Sequence, residues 1–116
     1  MDATAFTDLE RMFSSLPSAE REKIIRHGAA LRMINLRQRL FLAESKMRSF
    51  AERYQTTLEQ LEDAGLPDDA SLEMHEDYIQ WRHWVAVVCQ VTQDINALQL
   101  IVHQGIPGEA PLDAGD

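Results

Sequence analysis

The placement of proline is the strongest constraint on this chain. Prolines stand at 17, 67, 107 and 111 and nowhere else. Proline inside a helix removes a backbone hydrogen bond and clashes with the preceding turn. Two long stretches are therefore free to form uninterrupted helices, and both carry apolar residues at alternating spacings of three and four. In the first, Ala29, Met33, Leu36, Leu40, Ala43, Met47, Phe50 and Tyr54 form a heptad seam. In the second, the seam is Tyr78, Trp81, Val85, Val88, Thr92, Ile95, Gln99 and Val102. Each seam has a flanking row: Ile24, Leu31, Ile34 and Phe41 on the first stretch, where Leu42 adds further apolar surface, and Trp84, Val87, Val91, Leu98 and Ile101 on the second.

Local signals place the ends. Phe6, Leu9, Phe13 and Leu16 recur at helical spacing and predict a short amphipathic helix over 4–14, closed by Ser14-Ser15-Leu16-Pro17. Ser18 is a suitable N-cap for a helix over 18–54, with Glu20 and Glu22 at the positive end of its dipole. Gly28 marks either a close helix approach or a local weakness. Thr56 with Glu59, or Thr57 with Gln60, has capping-box spacing and opens a short helix over 57–63. Gly65 suits the backbone turn that ends it. Asp69 or Ser71 caps the last helix, over 71–103. The tail 105–116, rich in Gly, Pro and Asp, is expected to be mobile. The expected fold is all-α: one helical domain over 1–104, with a short N-terminal helix followed by a long antiparallel helical hairpin. An antiparallel register that puts Met47 near Trp81, Ala43 near Val85 and Leu36 near Thr92 follows from the two seams. Two helices cannot cover both flanking rows, so a homodimer in a four-helix arrangement is expected.

Charge is divided unevenly along the chain. Residues 1–54 hold ten Lys/Arg against seven Asp/Glu, and residues 55–116 hold one against twelve. Acidity on this scale opposes general nucleic-acid binding, whose affinity comes mainly from neutralising phosphates. No uninterrupted apolar run reaches the length that crosses a bilayer, and the N-terminus has no basic and apolar signal pattern. The lone Cys89 sits in an apolar helical run and reads as a buried small hydrophobe. These features lead to an expectation of a cytoplasmic location without membrane contact.

The stretch 65–84 gathers acids, both tryptophans and two histidines. Glu73, His75, Glu76, Asp77 and His83 could in principle ligate a metal, but they lack the His-x3-His or Glu-x-x-His spacing that metal sites on helices use. No nucleophile–base pattern accompanies Asp68 and Asp69. The reading is therefore no enzyme, no catalytic residue, no metal and no cofactor. Acids in the first turns suit the helix dipole. Asp68, Asp69, Glu73, Glu76, Asp77 and Trp84 are the candidate partner-binding residues, presented where the two long helices meet. The alternative is a DNA- or RNA-associated regulator that uses the basic face of 21–53, with Arg32, Arg37 and Arg39 as contacts. A purely structural oligomerisation protein is a further alternative.

The run Phe50-Ala51-Glu52-Arg53-Tyr54, then Thr57-Leu58-Glu59-Gln60-Leu61, Leu66-Pro67-Asp68-Asp69 and His75-Glu76-Asp77-Tyr78-Ile79-Gln80-Trp81 resembles a group of small uncharacterised prokaryotic helical-hairpin proteins. These are encoded beside toxin genes and taken to be antitoxin-like. The resemblance covers residues 47–85, and the chain departs from the pattern at Gln80, where an acid is common, and by its long acidic tail. It implies a toxin-like protein partner and no catalytic residues.

Overall fold

The computed structural model describes residues 3–104, and side chains from Thr7 to His103. Among these residues the chain is all-helical, with α1 (Ala3–Ser14), α2 (Ser18–Tyr54), α3 (Leu58–Ala64) and α4 (Leu72–Gln104). The tail 105–116, expected to be mobile, lies outside the described residues. The helices fall in two compact units, one made of the chain up to Ile34 and from Ala97 onward, the other of Asn35–Asn96.

In the first unit, α1 ends where Ser15 and Leu16 turn back on the carbonyls of Met12 and Phe13. Arg21 Nη1 then donates to the carbonyls of Ser14 and Leu16, each at 2.7 Å. A cation thus satisfies acceptors at the negative end of the α1 dipole. The first carbonyl to accept a helical bond in α2 belongs to Pro17, which takes the N–H groups of Glu20 and Arg21. Ser18, expected as the cap, is the first residue inside the helix. Ala29 and Met33 are buried, and Phe13 and Leu16 half-buried. Leu9, expected on the docking face of α1, is 58% exposed.

Gly28 is a local weakness. An added Cβ there would meet no atom within 4 Å. Gly28→Ala is therefore expected to stabilise the chain by about 1 kcal/mol, the difference in helix propensity, read as a rise in the denaturation midpoint by circular dichroism. A fall would mean that a close neighbour needs the glycine.

In the second unit the core holds Leu36, Ala43, Leu61, Trp81, Val87, Val91 and Ile95, all buried. The α2 seam is as expected: each of its eight residues is buried or half-buried. On α4 the buried stripe runs through Trp81, Val87, Val91 and Ile95, and Thr92 is exposed. The two rows lie one position apart, and the stripe turns so that valine methyls are buried and the threonine hydroxyl stays in water. Cys89 falls off this stripe and is exposed, contrary to the expected burial.

The caps between the long helices follow side-chain chemistry. α2 closes with Gln55 at φ 55°, and the Thr56 N–H reaches back to the Ala51 carbonyl at 3.3 Å. This is the six-to-one bond of a Schellman turn. Of the two capping boxes, Thr57 with Gln60 forms: Thr57 Oγ1 accepts from the Gln60 N–H, and Gln60 Oε1 from the Thr57 N–H. Gly65 takes φ 78°, ψ 159°, a region essentially closed to residues with a Cβ, and donates its N–H to the Leu61 carbonyl at 2.8 Å. Ser71 rather than Asp69 caps α4, its Oγ accepting the Met74 N–H at 3.1 Å.

α4 is long and apolar enough to cross a membrane by length and composition, over Leu72–His103. Its apolar window is only 17% buried and includes Gln90, Gln93 and Asn96, whose side chains face solvent. Gln90 Nε2 donates to Asp94 Oδ1 at 3.0 Å and Gln93 Nε2 to Cys89 Sγ at 3.9 Å, within the same helix.

Candidate functional site

The end of α2, the whole of α3 and the start of α4 meet in the second unit. The residues that join them are aromatic and charged. Phe50 and Tyr54 stack on Trp81, with ring centroids 5.7 and 6.3 Å away at 25° and 22°. Trp81 itself is 2% exposed. Phe50 and Tyr54 thus cover the indole, and Met47, expected near Trp81, lines the adjoining cavity with it. Aromatic rings cover the indole face better than a thioether does.

Asp77 Oδ2 accepts two short hydrogen bonds, from Tyr54 Oη at 2.5 Å and from Arg53 Nη1 at 2.5 Å. The Tyr54 hydroxyl, followed by Arg53, holds the Asp77 carboxyl below its ordinary value, although partial burial pulls the other way. The same bond to Asp77 pushes the Tyr54 phenol up. A second bridge lies alongside. Tyr78 Oη donates to Glu62 Oε2 at 2.9 Å, and Arg82 Nε stands 3.6 Å from the same oxygen. Glu62 raises the Tyr78 phenol. Asp77, a candidate partner-binding residue, is thus committed to fastening α4 onto α2.

Asp68, Asp69, Glu73 and Glu76 are exposed, and among the described residues their side chains have no hydrogen-bond or ion-pair partner. Trp84 is half-buried, its ring edge-on to His83 at 5.1 Å and 70°. It belongs partly to packing. The apolar groups that do face solvent beside the acids are Leu72, 74% exposed, and Ile79, 63% exposed. Leu72, Glu76, Ile79 and His83 follow one another at spacings of four, three and four, so they share one face of α4. Sequence reasoning missed Leu72 and Ile79. The signal was available, because neither belongs to the seam or its flanking row.

Arg32, Arg37 and Arg39 are exposed, and among the described residues no carboxylate is within ion-pair reach of them. No three His, Cys, Asp or Glu side chains converge as a metal set among the described residues. An open cavity of about 570 Å³ lies at the same corner, with Met47, Ala51, Leu58, Trp81 and Val85 among its walls and Glu59 and Glu62 at its edge.

Comparison with protein-family models, with curated proteins and with solved structures finds no match.

Proposed function

We propose that this chain is a protein-binding module of the prokaryotic cytoplasm: a helical hairpin that self-associates and presents the acidic start of α4 to a positively charged partner protein. One observation carries the reading. Leu72 and Ile79 stand in solvent on a well-formed helix, on the same face as Glu76, in a stretch that also carries the exposed Asp68, Asp69 and Glu73. Large exposed apolar side chains in a stretch of unpaired acids suit a partner that brings apolar pockets and cations together. The hairpin is supported by the meeting of Tyr54 with Asp77 and Phe50 with Trp81. Self-association is supported by the second apolar row of α2, where Leu31 and Ile34 are 62% and 55% exposed.

The sharpest form is antitoxin-like. The acids would cover the electropositive site of a toxin that processes nucleic acid, and Leu72 and Ile79 would supply affinity. The resemblance over 47–85 supports this form. The reading gives the chain no catalytic role and no cofactor. Co-expression with the product of the adjacent gene tests it. Ile79→Asp and Glu76→Lys are each expected to lower affinity at least about tenfold while leaving the helical circular dichroism unchanged. An adjacent product that does not co-purify with the wild-type chain would count against the antitoxin form, and binding unaffected by either substitution would remove this face.

A second reading rests on Arg32, Arg37 and Arg39, which have no acidic partner among the described residues. If they contact nucleic acid, binding will weaken steeply with salt and fall further when the three are changed to glutamine.

A further inference from the structure

We infer that the open cavity where α2, α3 and α4 meet is the dock for a second copy of this chain, filled by the exposed apolar row on the first half of that copy's α2. The inference rests on the self-association proposed above and names its contact.

The cavity, about 570 Å³, is within the range that accepts inserted groups. Its inner surface is aliphatic, from Met47, Ala51, Leu58 and Val85. A smaller hollow of about 290 Å³ continues it along α2 and shares Met47 and Arg48 with it. The edge is acidic: Glu59 from α3 flanks the larger hollow, beside Glu62, which Tyr78 and Arg82 already engage, and Glu44 flanks the smaller. Arg48 is the one cation among the lining residues, and its Nη2 donates to Ser45 Oγ at 3.1 Å. An apolar trough with an acidic edge fits an amphipathic helix whose apolar stripe is bordered by cations.

The chain itself carries such a helix. Ile24, Leu31 and Ile34 lie at spacings of seven and three, on one stripe of α2, and are 45%, 62% and 55% exposed. Lys23 and Arg32 border the stripe, exposed and without a carboxylate in ion-pair reach among the described residues. Charge selects the pairing. A stripe on the trough places Lys23 and Arg32 against an acidic edge, which two α2 stripes facing each other would not supply.

Sedimentation equilibrium of the full chain over a concentration series tests this, with circular dichroism confirming that each variant remains helical. Every substituted side chain is exposed. Leu31→Glu is expected to leave only monomer. Lys23→Glu and Glu59→Lys are each expected to weaken the dimer by about fivefold to tenfold, and combining the two should restore most of the loss. A double variant no better than the worse single overturns the dock while leaving self-association standing. A wild-type chain that is monomeric at every concentration overturns both.

Discussion

Trp81→Ala is expected to destabilise the chain by about 3–5 kcal/mol, the cost of removing a large aromatic from a packed site. Trp81 is the largest fully buried side chain among the described residues and the common partner of the Phe50 and Tyr54 rings. Its removal exposes both rings and widens the adjoining cavity toward the core, where water cannot be satisfied by aliphatic walls. For a chain of this size each kcal/mol shifts the thermal midpoint by roughly 4–8 °C, so the expected fall exceeds about 12 °C. Trp84→Ala is the internal control. Trp84 is half-buried and touches His83 edge-on, and its loss should cost clearly less. Chemical denaturation of both variants measures the difference. Equal costs would mean that the stack on Trp81 does not organise this unit.

Asp77→Asn is the second large effect. It removes a charge that accepts hydrogen bonds from Tyr54 and Arg53. The bond from the Tyr54 hydroxyl to this carboxylate is worth about 1.5–3 kcal/mol. The Arg53 side chain is 51% exposed, so its share is screened. The Tyr54 bond, to a carboxylate only 15% exposed, carries most of the expected loss. Asp77 has a folded pKa below its ordinary value. Its contribution is therefore fully present above the ordinary carboxylate range and is lost as pH falls through the depressed value. Tyr54 has a raised phenol. Its contribution holds below the ordinary tyrosine range and is lost as pH climbs through the raised value. Stability should decline at both ends of a pH series, and Asp77→Asn should flatten both declines. An unchanged profile would sink this account.

Much of the helical pattern was legible because proline and heptad spacing act locally. The α2 seam could be read at every position, since its residues leave one plausible buried stripe. The α4 stripe could not. Val91 and Thr92 sit on neighbouring rows, and only packing decides which of the two is buried. The same ambiguity hid the exposure of Cys89. Capping was legible as a pair of alternatives, and hydrogen-bond geometry chose Thr57 over Thr56 and Ser71 over Asp69. At the candidate site, spacing identified the acids, but Asp77 could not be told from its neighbours. Its role depends on Tyr54, 23 positions earlier, and a contact between separate helices leaves no mark in local sequence. Ile79 is hidden for the opposite reason: heptad spacing marks residues that pack, and an apolar residue that faces water stands outside it.

The bonds that fasten the start of α4 also bear on how the chain folds. Tyr54 and Arg53 meet Asp77, and Tyr78 meets Glu62, across sequence separations of 23, 24 and 16 residues. Loops this short close at small entropic cost, and chains rich in near-neighbour contacts fold fast. Thr57, Gly65 and Ser71 set the chain direction at each turn between the bonded residues. This corner can therefore assemble early, as a nucleus from which the earlier part of α2 and the later part of α4 grow outward, so substitutions at Asp77 and Trp81 should slow folding, whereas those at Leu31 should leave its rate unchanged.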